Sequence, residues 1–253
     1  MFADERKTKI EEIIRRNRSV TTSELTEIFQ VSLETVRRDL ESMEKQGLLK
    51  RVHGGAVSVR ELHNYSNFDQ RNSSRQAQKR QLALTACAYI NEGDYLALDC
   101  GSTAIALAKA LIQRFRKLTV VTNSLEVFQI ISGGGAHRVI LAGGEYLGEE
   151  KCFYGHLALD MIGQLHVKKS FLTPSGISLD FGISDHVREL IEIQRAIARI
   201  ADQVYVLADS SKFEAYAPLQ ICGLDRRYVY LTDPELPEEI FELYRKEAVS
   251  LEK

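Results

Sequence analysis

A chain of 253 residues is long enough for one large or two ordinary domains, and a hydrophobic share of 44% supplies buried cores, which excludes a disordered chain. No run of about 18 apolar residues is present to span a membrane and the N-terminal stretch lacks the apolar core of an export signal, so a cytoplasmic protein is expected. The formal charge of −2 is low for a nucleic-acid binder, but the basic residues are clustered: Arg15, Arg16 and Arg18, then Arg37 and Arg38, then Lys50 and Arg51. Cys87, Cys100, Cys152 and Cys222 stand far apart with no histidine at ligand spacing, so reduced thiols are expected, with no metal and no cofactor.

The spacing predicts a first helix over 5–17, with Ile10, Ile13 and Ile14 on one face. A second starts at Thr21 or Thr22, whose hydroxyl can cap it, and carries Leu25, Ile28 and Phe29. Gln30 and Val31 break the pattern. Ser32 then caps a third helix, in which Val36, Leu40 and Met43 face inward while Thr35, Arg37 and Arg38 face out. Gly47 ends it, and residues 48–57 read as a hairpin with Lys50, Arg51 and His53 on one arm and Gly54-Gly55 at the turn. Two short helices followed by a two-stranded wing make a winged helix-turn-helix, whose second helix enters a DNA major groove. Ser32, Thr35, Arg37 and Arg38 would meet bases and phosphates there, and Lys50, Arg51 and His53 would meet the flanking backbone. Periodicity alone also fits an amphipathic helix pair with solvated arginines; the fixed order of elements favours the DNA reading.

The run from Val31 to Ala56, VSLETVRRDLESMEKQGLLKRVHGGA, closely resembles the DNA-binding signature of DeoR-type bacterial regulators. The resemblance implies that Thr35, Arg37, Arg38, Arg51 and His53 are DNA contacts.

After residue 57 the pattern changes, which places a DNA-binding domain over 1–57, a linker over 58–70 and a second domain over 71–253. A helix is predicted over 76–90, and from Gly93 strands and helices alternate, with strands near 95–98, 118–121, 138–142, 170–173, 204–208 and 228–231, the last closing the sheet. The expected fold is a small α+β winged unit followed by an α/β domain with a mostly parallel sheet covered on both faces.

Ligands bind such sheets at the carboxyl ends of the strands. Four polar motifs fall there: Asp99 with Gly101-Ser102-Thr103, Thr122-Asn123-Ser124, Gly143-Gly144, and Asp209 with Lys212. Free N–H groups opening a helix at Gly101 suit a phosphate, a lysine adds charge, and Asp99 and Asp209 suit sugar hydroxyls. Arg71 and Lys79 flank the domain start, where they could reach the pocket or simply be solvated. Each motif taken singly is also an ordinary cap or turn.

The segments DCGSTA, TNS, LAGGEY, SGIS and ADSSKF are similar to the effector domain of the same regulators, so the resemblance covers nearly the whole chain. It implies a fold like ribose-5-phosphate isomerase and a phosphorylated sugar as effector, held by Ser102, Thr103, Asp99, Asn123, Asp209, Arg71, Lys79 and Lys212. Gln194 stands where these proteins commonly carry Lys. The expected function is therefore repression of a carbohydrate-metabolism operon, with operator DNA, a sugar phosphate and further copies of the chain (dimer or tetramer) as partners. The alternative is a sugar-phosphate isomerase fused to a DNA-binding module. Against it, the acidic Asp-Gly-Ala-Asp loop of ribose-5-phosphate isomerases is absent.

Overall fold

The computed structural model describes residues 3–17, 19–46, 48–52, 54–58, 61–62 and 66–253. The first unit runs α1 (Ala3–Asn17), β1 (Ser19–Thr21), α2 (Thr22–Phe29), α3 (Leu33–Lys45), β2 (Leu49–Val52) and β3 (Gly55–Ser58). Thr21 opens α2 with a capping box, its hydroxyl accepting from Glu24 N while Glu24 accepts from Thr21 N. Gln30 stops that helix in the left-handed region at φ 52°, and Ser32 accepts from Thr35 N to start α3. Ile10, Ile14, Leu25, Val36, Leu40, Met43 and Leu49 close the core between the helices and the wing.

Two features of this unit lie beyond the periodicity. β1 joins the expected hairpin to make a three-stranded sheet of order β1-β3-β2, pairing Val20 with Ala56. Gly55 permits the crossing, since a Cβ there would lie 2.2 Å from Val20 O. The second is a buried ion pair, Arg6 Nε to Asp39 Oδ2 at 2.5 Å, that ties α1 to the inner face of α3. The Asp39 carboxylate is buried and its ion pair spans two helices, so Asp39→Ala is expected to destabilise the protein by about 2–3 kcal/mol in urea unfolding followed by circular dichroism. A change within 0.5 kcal/mol, of the kind about usual for surface substitutions, would contradict that role.

The second unit continues through β4 (Glu61–Leu62), α4 (Phe68–Ser73), α5 (Gln76–Cys87), β5 (Tyr95–Leu98), α6 (Ser102–Arg114), β6 (Thr119–Thr122), α7 (Leu125–Gly133) and β7 (Arg138–Leu141). A hairpin, β8 (Glu145–Leu147) and β9 (Cys152–Tyr154), then precedes α8 (His156–Gly163), β10 (Val167–Leu172), β11 (Gly176–Ser178) and β12 (Gly182–Asp185). The chain ends with α9 (Arg188–Arg199), β13 (Ala201–Leu207), β14 (Ala215–Tyr216), β15 (Leu219–Cys222), β16 (Val229–Leu231), α10 (Glu238–Lys246) and β17 (Ser250–Glu252).

Seven strands form one parallel sheet of order β17-β16-β13-β10-β5-β6-β7. Leu96, Leu98, Phe171, Tyr205 and Leu207 face α5, α6 and α7, while Ala97, Leu172, Val204 and Val206 face α8, α9 and α10. Strands buried on both faces read as continuous apolar runs, which is why most were legible. The edge is β17, pairing Val229 with Ser250, so the strand near 228–231 does not close the sheet as expected. From β5 the chain winds outward through β6 and β7, then restarts beside β5 at β10 and winds the other way. The order therefore reverses between β5 and β10, and a crevice must open at their carboxyl ends.

Candidate functional sites: an exposed helix face and a cation-lined crevice

In the winged unit, Arg37 and Arg38 are exposed on α3, Thr35 is half-buried, and Ser32 is engaged as the cap with its Oγ 2.9 Å from Thr35 Oγ1. Arg38 Nε lies 3.4 Å from Glu34 Oε1, an exposed pair one turn apart that holds it weakly. On the wing Arg51 is exposed and Lys50 half-buried; His53 lies outside the described residues. The helix thus offers two guanidinium groups and short hydroxyls at its first turns, the chemistry that bidentate base and phosphate contacts need.

In the second unit a cavity of about 230 Å³ opens at the β5/β10 crevice. Its floor comes from the two strand ends. After β5, Gly101 (φ 132°) starts α6 with no side-chain cap, so the first N–H groups of that helix, beside Ser102 and Thr103, face the cavity. A Cβ at Gly101 would meet Thr173 Oγ1 at 3.1 Å. After β10, Thr173 N donates to Asp99 Oδ2 and Thr173 Oγ1 donates to Cys100 O, locking the two strand ends together.

The corner between α4 and α5 brings Arg71, Arg75 and Lys79 over this floor, and Lys212 comes from the turn after β13. Lys79 Nζ donates to Ser74 O at 2.8 Å and to Arg71 O, capping α4. Arg75 Nε lies 2.9 Å from Asp209 Oδ1, and Arg71 pairs with Glu150. Burial pushes the Lys79 ammonium down to about 8; Asp209 opposes that shift, while Lys212, Arg71 and Arg75 add to it. Lys212 is lowered by burial too, with Asp209 and Asp185 opposing. Both lysines are thus held below their ordinary range, with the neighbouring arginines adding to the effect of burial.

Of the residues expected to bind a ligand, the fold brings Arg71, Lys79, Gly101, Ser102, Thr103, Asp209 and Lys212 to one cavity. Asp99 is fully buried beneath it and does not line it; it accepts from Cys100 N, Thr173 N and Gln194 Nε2, three residues that do. Thr122, Asn123, Gly143 and Gly144 do not line it. Thr122 Oγ1 accepts from Ser124 N, Asn123 donates to Phe153 O, and Gly144 lets Tyr154 and Ala158 approach closely. Sequence reasoning missed Arg75, Glu150, Thr173, Ser175 and Asp185, which also line the cavity.

Comparison with known proteins gives two family matches, a DeoR-like helix-turn-helix domain over residues 6–61 and a DeoR C terminal sensor domain over residues 74–234. The chain belongs to the DeoR family. Relatives of this DeoR-family chain include the transcriptional repressor AccR of Agrobacterium fabrum, 37% identical over 83% of this chain and 81% of the relative. The uncharacterized HTH-type transcriptional regulator YulB of Bacillus subtilis is 37% identical over 84% and 82%. The glycerol-3-phosphate regulon repressor of Escherichia coli is 30% identical over 100% and 99%. Among solved structures, ribose 5 phosphate isomerase A from Neisseria gonorrhoeae superposes with a TM-score of 0.42 at 15% identity, over 56% of this chain and 55% of that one. The DeoR-family protein is accordingly a DNA-binding transcriptional regulator, and α3 lies within its helix-turn-helix match. Among its described residues no helix is long and apolar enough to cross a membrane.

Proposed function

We propose that this regulator is a cytoplasmic repressor of a carbohydrate-metabolism operon, whose hold on operator DNA changes when a phosphorylated sugar enters the crevice. The observation that carries the reading is the convergence of Arg71, Arg75, Lys79 and Lys212 on the uncapped start of α6, with Asp185 and Asp209 beside them. The cations and N–H groups suit a phosphate, and the carboxylates suit hydroxyls. The relative named for the glycerol-3-phosphate regulon supports a phosphorylated effector. Binding without turnover follows the relatives, which are named as regulators. One winged unit makes few phosphate contacts, so paired copies on two half-sites are part of the proposal.

Thermal unfolding with a panel of sugar phosphates tests it. A cognate compound at about 100 times its Kd contributes about 2.7 kcal/mol, which raises Tm by about 5–10 °C, and its unphosphorylated sugar leaves Tm unchanged. A panel in which free sugars act as strongly as their phosphates would remove the reading.

The state of Lys79 adds a pH dependence. A bound phosphate raises the Lys79 pKa above its ligand-free value of about 8, so above that pH binding takes up a proton. Affinity is expected to hold near pH 7 and to fall by up to about tenfold per pH unit above pH 8. A titration that stays flat from about pH 7 to 9.5 would contradict the placement of Lys79 beside the phosphate.

A further inference from the structure

Gln194, on α9, is 1% exposed yet lines the cavity, and its two amide atoms differ in what they meet. Its Nε2 donates to Asp185 Oδ2 at 2.9 Å and to Asp99 Oδ2 at 3.2 Å. That orientation is forced, because an amide oxygen turned toward two carboxylates would meet acceptors only. Oε1 is left buried with no partner. A buried amide oxygen without a donor is costly, and Gln194 lines the cavity, so a donor on a bound ligand can supply the missing bond with a small shift of the amide.

The amide itself touches two carboxylates, and the cation near Asp185, Lys212, is the one assigned above to the phosphate. Asp185 is held by Ser175 Oγ at 3.0 Å and by His186 N at 2.7 Å, and Asp99 by Cys100 N and Thr173 N. All of these partners are neutral donors. Burial, with Asp185 adding to it, pushes the Asp99 carboxyl up to about 6.

Resting on the sugar-phosphate reading above, we infer that Gln194, Asp185 and Ser175 form a second subsite that selects the non-phosphate part of the effector. This subsite takes a hydroxyl or amine that donates to Gln194 Oε1 and rejects a carboxylate or second phosphate. The effector class is then a monophosphate of a sugar, polyol or amino sugar. Phosphorylated sugar acids and bisphosphates are excluded, because they would place an anion against Asp185 and an acceptor against Oε1.

Calorimetric titration of the full chain with matched ligands tests this. One series is glucose 6-phosphate, glucosamine 6-phosphate and 6-phosphogluconate; a second is ribose 5-phosphate, 5-phosphoribonate and ribose 1,5-bisphosphate. In whichever series binds, the neutral or amine form is expected to bind at least about 100-fold tighter than the acid or bisphosphate. Gln194→Met should weaken the preferred ligand by about tenfold or more. Gln194→Lys, which sets a cation between Asp99 and Asp185, should narrow or reverse the preference against the acid. Acids binding as tightly as their neutral partners to the unaltered chain would overturn the subsite and leave the sugar-phosphate reading standing. If no phosphorylated compound binds, both fall. The ligand series needs no variant, so it decides the matter even where a substitution fails to fold.

Discussion

Replacing Arg37 and Arg38 together with alanine is expected to abolish selective operator binding while leaving the fold intact. Both side chains are exposed on α3, so their loss opens no cavity, and the Arg38–Glu34 pair, 78% and 65% exposed, contributes little to stability. Their value lies in the complex. A bidentate arginine–guanine contact discriminates by about 1–3 kcal/mol, so one such contact changes affinity by about 5- to 150-fold, and a phosphate contact would lower the salt slope by about one. For the pair, specific affinity should fall toward that for random DNA, with the urea midpoint unchanged. Full selectivity in the double variant would show that α3 is not the reading element. Asp39, the next residue, gives the opposite outcome, because its side chain points inward to Arg6 and its loss is felt in stability.

Lys212→Ala is expected to weaken the sugar phosphate by about 10- to 100-fold and to leave operator affinity without ligand unaltered. The ammonium is buried beside Asp209 and Asp185, and a dianion in the cavity would gain a charge-assisted contact there in a setting of low dielectric. Arg75→Ala should act in the same direction but with an added stability loss, because Arg75 also holds Ser210 Oγ at 2.7 Å and Glu235. Isothermal titration separates the two effects. An unchanged ligand affinity in Lys212→Ala would move the phosphate away from this side of the crevice.

How much of this was readable from the residues depends on what each element buries. The α3 pattern Val36, Leu40, Met43 and the two-face burial of β5 and β13 leave strong apolar periodicities, so both architectures were legible. The three-residue strands β1, β11 and β17 leave none; their pairing is decided by the neighbouring strand, not by their own composition. The same division holds at the site. Gly101-Ser102-Thr103 was visible because a helix start after a strand has a composition of its own. Glu150 and Asp185 were invisible because the β8–β9 hairpin and the β11–β12 pair carry them to the crevice by long-range topology. Asn123 and Gly144 carry the same kind of polar or glycine signal, yet the first holds Phe153 O and the second admits the Tyr154 backbone. A small polar motif at a strand end reports a tight turn, and only the reversal of strand order says which turns meet.

The most direct test of coupling between the two units is fluorescence anisotropy of the full chain on the DNA upstream of its own gene, at one salt concentration. The titration is run alone, with each sugar phosphate and with each parent sugar. A phosphorylated compound should shift the midpoint by about 5- to 150-fold, corresponding to a coupling of about 1–3 kcal/mol, and its parent sugar should not. Tight operator binding that no phosphorylated compound moves, including one that raises Tm, would contradict the account: the crevice would bind a ligand without controlling the helix that reads DNA.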